Sequence, residues 1–206
     1  RDSNIGVQMK FLLVSFLISS TFAILPGEKA PGFKLTNHEG SEVSLDQFKG
    51  KYVVLEWYNE GCPFVRKHYD AKNMQLTQDK AKNEKIKESV VWLTINSSAK
   101  GKQGHIANPK EAFKTIKREN MLASHLLLDP NGSVGRAYEA KTTPHMYIIN
   151  PKGQLVYNGA IDSNSSPNPA VIKSSKNYIL EALSDIKASR EIASAKTKPY
   201  GCSVKY

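Results

Sequence analysis

The stretch that most constrains the fold is Lys51 to Met74, KYVVLEWYNEGCPFVRKHYDAKNM, an apolar strand that runs into a cysteine at the mouth of a helix. Val53, Val54, Leu55, Trp57 and Tyr58 form a nearly unbroken β-branched and aromatic run, the composition of a strand buried on both faces. Asn59, Glu60 and Gly61 then turn the chain. Pro63 suits the first helical position, because its fixed φ fits there and its missing N–H would have had no helical partner. Cys62 therefore falls at the N-cap. Unpaired N–H groups and the positive end of the helix dipole favour a thiolate there, and Arg66 and Lys67 add positive charge in the first turns. This is the layout of a reactive thiol. The alternative is a buried, inert cysteine beside a core strand.

The ends of the chain read differently from its middle. Residues 1–8 precede a segment with the features of a secretion signal: Met9 and Lys10 as a basic start, Phe11 to Ile18 as an apolar core, and Thr21-Phe22-Ala23 with cleavage-site spacing. The apolar run is short of the ~20 residues a membrane helix needs, so the expectation is an exported protein, periplasmic or extracellular. It would meet the membrane only during export. Residues 1–23 are therefore set aside from the fold. The rest divides into one domain over 24–192 and a tail over 193–206 that carries Cys202.

The chain has 206 residues, a net charge of +10 and two cysteines, Cys62 and Cys202. The lysines are scattered, densest at 80–87 and 187–198, and no basic cluster is interleaved with stacking aromatics. That pattern argues against a nucleic-acid reader. His38, His68, His105, His125 and His145 show no metal-ligand spacing, and neither HExxH nor CxxC occurs, so no metal is expected. An even cysteine count in an exported protein favours a disulfide, structural or catalytic.

Along the chain, Phe33–Thr36 and Glu42–Leu45 flank the turn Asn37-His38-Glu39-Gly40 as a hairpin ahead of the main fold. A helix opening at Pro63 is expected to continue through Leu76 into the polar QDKAKNEKIKE. Ser89–Asn96 reads as a second buried strand. Asn108-Pro109-Lys110-Glu111 approximates a capping box and predicts a helix to about Asn120. Leu126–Leu128 is a short strand, stopped by Asp129-Pro130-Asn131-Gly132, and Ser133–Tyr138 a short helix. HMYIIN and QLVYN form a hairpin about Pro151-Lys152-Gly153. A long helix from Asn168 or Pro169 to about Ile192 closes the domain. The order implies a mixed sheet with helices on both faces, its ligand side at the C-terminal ends of the parallel strands, where Cys62 falls.

The strand WYNEGCPF, the turn DPNGSVGRAY and the segment TTPHMYIINPKGQLVYNG together resemble the thioredoxin-like superfamily, and within it the redoxins related to peroxiredoxins, the AhpC/TSA group. The resemblance spans about Pro31 to Glu191. It implies an α/β thioredoxin-like fold and a thiol-dependent oxidoreductase, an antioxidant that reduces peroxides or protein disulfides without an organic cofactor and is re-reduced by an external thiol. It also implies a cis peptide at Thr143-Pro144 facing Cys62, where a partner's backbone can pair. The active-site residues depart from both parent patterns. Val65 occupies the slot of the second thioredoxin cysteine, and Asn59 and Leu55 stand where peroxiredoxins carry Thr or Ser and Pro. Pro144 aligns with the peroxiredoxin arginine. Catalysis is accordingly expected of Cys62, with Cys202 as a resolving thiol, and substrate contacts of Thr143, Pro144, Pro63 and Arg66. The rival is a non-catalytic binding domain in which a Cys62–Cys202 disulfide staples the tail, with a loop-closure benefit of about 4–5 kcal/mol in the entropic account.

Overall fold

The computed structural model describes residues 24–206; the expected signal segment lies outside them. A seven-stranded mixed sheet forms the centre, in the order β2 (Glu42–Ser44), β1 (Lys34–Asn37), β5 (His125–Leu128), β4 (Val90–Asn96), β3 (Tyr52–Trp57), β7 (His145–Ile149), β8 (Leu155–Gly159). β3, β4 and β5 run parallel; β7 pairs antiparallel with β3 and with β8. The early hairpin is part of this sheet, because β1 also pairs antiparallel with β5.

Strand alternation sorts the core into two layers. Val53, Leu55, Trp57, Val91, Leu93 and Ile95 enter one cluster with Phe33, Tyr138 and Leu155. Val54, Tyr58, Val90 and Trp92 enter the other, with Cys62, Val65, Tyr69, Met74, Ile179 and Leu183. Glu56 and Thr94 share the parity of the second set and so meet Trp92 beneath the helices.

Two expected helices are broken. The segment after Cys62 divides into α1 (Pro63–Asp70) and α2 (Asn73–Asn83), because Lys72 adopts a left-handed backbone with φ +57°. The break reorients α2, so that Met74, Thr77, Gln78 and Ala81 face inward while Leu76 is exposed. The closing helix also divides: residues Pro169–Ser174 form a 3-10 turn, Ser175 is extended, and the Asn177 side chain accepts from Ile179 and Leu180 N–H. That cap starts a shorter helix, Tyr178–Lys187. Between these lie α3 (Pro109–Glu119), capped by Asn108 as expected, and α4 (Ser133–Ala137), which makes Tyr178–Lys187 α5. No helix among the described residues is long and apolar enough to cross a membrane.

The tail is tied down. β9 (Cys202–Ser203) pairs antiparallel with β6 (Thr142–Thr143), Cys202 standing opposite Thr143 and Ser203 opposite Thr142. Val204 N–H donates to the Lys141 carbonyl at 3.1 Å, and Ala99 N–H to the Lys205 carbonyl at 2.7 Å.

Candidate active site

The site is built where β3 and β7 end side by side. Trp57 pairs with His145, so the chain leaving β3 faces the residues that precede β7. Asn59 shapes the departing turn: its Oδ1 accepts from Gly61 N–H at 2.9 Å, and its Nδ2 donates to the Ser98 hydroxyl and the Gln103 carbonyl. Cys62 follows as the N-cap of α1 with Pro63 at the first helical position, and Val65 and Arg66 N–H donate to its carbonyl. The Thr143–Pro144 peptide is cis. The Cys62 thiol donates to the Thr143 carbonyl at 2.9 Å.

The β6–β9 register brings Cys202 to the same place, opposite Thr143, where it packs against the buried cluster that holds Cys62. Both are free thiols. Burial works against a Cys62 thiolate, but hydrogen bonds from the Cys202 side chain, from Thr143 and from the backbones of Cys202 and Val65 outweigh it, holding the thiol below its ordinary pKa. Burial and the neighbouring Cys62 push Cys202 up to about 11. The two sulfurs are thus an unequal pair, one a good leaving group and the other a poor one.

A second buried cluster holds the tail to α1. The Lys67 ammonium meets Asp162 Oδ2 at 3.0 Å, the Asn164 carbonyl at 2.7 Å and the Tyr200 hydroxyl at 3.2 Å. Tyr200 also donates to Asp162 and meets His68 Nε2 at 3.1 Å, and its ring packs edge-on against Phe64. His68 is therefore fully buried; desolvation lowers its pKa to about 4. His145 is buried as well, with Nε2 on Asn158, and desolvation lowers it likewise to about 4.

Of the expected substrate residues, Thr143 and Pro144 adjoin Cys62. Arg66 turns away, its guanidinium bonded to the Glu119 carboxylate, and its charge is not among the groups that stabilise Cys62. Pro63 and Arg66 line an open cleft of about 290 Å³ with Pro167 and Pro169, outside which Cys62 lies. A larger groove of about 720 Å³, bounded by Leu76, Arg118 and Leu122, contains neither cysteine.

Two features escape the sequence reading. Glu56 sits fully buried and accepts from Tyr69, Gln78, Trp92 and Thr94; its only signal is a single acid inside an apolar strand. His38, Glu39 and His125 also converge, with potential ligand atoms within 4.8 Å of one another. Asn37 Oδ1 accepts from Glu39 and Ser41 N–H, which obliges its Nδ2 to donate to His125 Nδ1 at 3.2 Å. Leu126 N–H donates to His38 Nδ1. Both rings are held in the Nε2–H tautomer by these donors, the reverse of the arrangement in which a ligand histidine gives its free N–H to an acceptor. The cluster is a hydrogen-bonded turn.

The AhpC/TSA family model matches residues 26–158. The chain belongs to the AhpC/TSA family. The thiol-disulfide oxidoreductase ResA of Bacillus subtilis is 24% identical over 134 residues, which cover 65% of this chain and 66%, just under two thirds, of that protein. An uncharacterised conserved protein of Geobacillus kaustophilus is similar over 88% of this chain and 92% of its own, with a TM-score of 0.68 and 27% identity. The thioredoxin domain of a thiol-disulfide oxidoreductase from Bacteroides vulgatus covers 74% of this chain and 98% of its own, at a TM-score of 0.53 and 19% identity, and shares the fold. The chain is thus a thioredoxin-like redoxin. The match to the AhpC/TSA family stops at residue 158, before the tail that carries Cys202.

Proposed function

We propose that this redoxin is a thiol-dependent oxidoreductase whose working pair is Cys62 and Cys202, cycling between dithiol and disulfide. One observation carries the reading: Cys202 stands opposite Thr143 in the β6–β9 pair, and the Thr143 carbonyl is the group that accepts from the Cys62 thiol at 2.9 Å. The similarity to the thiol-disulfide oxidoreductase ResA of Bacillus subtilis supports the same chemistry.

In the oxidative half, the Cys62 thiolate attacks one oxygen of a peroxide. The O–O bond breaks, the departing oxygen takes a proton, and Cys62 becomes a sulfenic acid. Cys202 then attacks the Cys62 sulfur, the S–S bond forms and water leaves. With a disulfide as oxidant, Cys62 forms a mixed disulfide, and attack by Cys202 on the Cys62 sulfur releases the second thiolate. Two electrons leave the pair on either route, and two equivalents of an external thiol restore it. Complete burial of Cys62 favours a small oxidant such as a peroxide. Met9–Ala23 supports work outside the cytoplasm, with the mature chain starting at Ile24.

The test is hydrogen peroxide consumption with a thiol reductant, comparing wild type with Cys62→Ser and Cys202→Ser. Turnover lost with Cys62→Ser, and a sulfenic acid persisting in Cys202→Ser, is the expected outcome. A chain whose two cysteines stay joined and inert to reductant overturns the reading and leaves a stapled domain.

A further inference from the structure

The register that brings the two sulfurs together also decides which of them an outside molecule can reach. Cys62 is 0% exposed and belongs to the main apolar cluster, against which Phe64, Tyr200 and Cys202 pack. Cys202 is partly exposed. The edge of β6 beside cis-Pro144, on which an incoming strand could pair, is already occupied by β9, and Val204 extends the contact to Lys141.

The occupying segment is held along its length. Thr197 bonds Tyr157 and Ala160 N–H, Tyr200 bonds Asp162, Lys67 and His68, and the Tyr206 hydroxyl donates to the Ala140 carbonyl with its ring against Arg136. Gly201 fits only as glycine. Its φ is +139°, and an added Cβ would stand 2.1 Å from the Thr143 carbonyl oxygen.

Resting on the Cys62/Cys202 cycle above, we infer that outside thiols reduce the pair through the Cys202 sulfur, with Cys62 as the sulfur that leaves. An external thiolate attacks Cys202 Sγ, a new S–S bond joins it to Cys202, and the Cys62–Cys202 bond breaks with its electron pair on Cys62. A second external thiolate attacks the external sulfur of this mixed disulfide. That step releases a small-molecule disulfide and a Cys202 thiolate, which takes a proton from water. Two external thiols are oxidised and one protein disulfide reduced. Leaving-group order agrees with access: exchange is faster when the expelled thiolate has the lower pKa, and that sulfur is Cys62. The second sulfur lies beyond the matched family segment, so the entry point for electrons is supplied by the tail.

Oxidised full-length protein is mixed with glutathione, quenched in acid, unfolded, treated with N-ethylmaleimide and mapped by peptide mass spectrometry. The expected adduct carries glutathione on Cys202 and maleimide on Cys62, in at least tenfold excess over the reverse. Gly201→Ala, which forces β9 off β6, is expected to raise the share on Cys62. Glutathione predominantly on Cys62 in the wild type overturns this inference and leaves the Cys62/Cys202 cycle standing. A chain in which no Cys62–Cys202 disulfide forms overturns both.

Discussion

Helix α1 reaches two buried acids, and they are handled in opposite ways. Tyr69 donates to Glu56, which collects three further donors from α2 and β4 and meets no cation. Lys67 reaches Asp162, an ion pair with both partners buried, and Tyr200 of the tail joins it. Burial raises the Glu56 pKa against the lowering effect of its hydrogen bonds, and that node is a lone acid inside a closed shell of neutral donors. The Asp162 node is charged on both sides and has a binding place to spare, which the tail fills. An acid closed in by its own donors satisfies the core by itself; an ion pair can recruit a distant segment.

The largest effect that would sharpen this comparison is from Asp162→Asn. Removing one partner strands the Lys67 charge in the interior, and a loss of about 3–5 kcal/mol is expected in urea denaturation. The same variant should slow formation of the Cys62–Cys202 disulfide, followed by loss of free thiol. A variant that loses stability but closes its disulfide at the wild-type rate would break the link between node and tail.

Acid should weaken the tail side. His68 is neutral in the fold, with its pKa lowered from 6.5 to about 4. The unfolded chain takes up the proton first as pH falls through 6.5, so stability is lost between pH 6.5 and 4 and is fully present above that window. The contribution is on the order of 3 kcal/mol for a shift of that size. His68→Gln is expected to flatten the stability profile there; an unchanged slope would assign the acid sensitivity to His145 and the partly buried His38 and His125.

Tyr200→Phe keeps the ring on Phe64 and deletes the hydroxyl shared by Asp162, Lys67 and His68. A cost of about 1–3 kcal/mol is expected from the groups left unpaired, together with slower disulfide closure. Glu56→Gln should be the mildest at low pH, where the acid is protonated anyway. With Glu56 raised above its ordinary 4.5, the wild type loses stability as pH rises past that value because the unfolded chain ionises first. The variant is therefore expected to gain on the wild type with rising pH, at an unchanged rate of disulfide closure. A slower closure would show that the core acid, too, serves the thiols.

The sequence exposes what is local. The strand entering Cys62, Pro63 at the first turn and Asn108 as a cap rest on neighbours in the chain, and all appear in the structure. The family motif carries Thr143–Pro144 to its cis peptide beside Cys62. What stays hidden depends on distant partners. Lys67 reads as a charge that favours the Cys62 thiolate, because its acid lies 95 positions away. The burial of His68 is hidden for the same reason, its covering Tyr200 being 132 positions away. The break at Lys72 has no glycine or proline to announce it. β9 is only two residues long, and nothing in PYGCSVKY has a strand period until β6 supplies the other half.

The contact between Cys62 and Cys202 has a mechanical reading as well. Joined, they close a ring over the 140 positions that separate them, about three quarters of the described residues. A chain pulled from its ends could then pay out only the residues outside the ring. Reduction would release the remainder, on the order of 500 Å of contour at ~3.3–3.6 Å per residue. Under load, the redox state of one sulfur pair would be legible as a length.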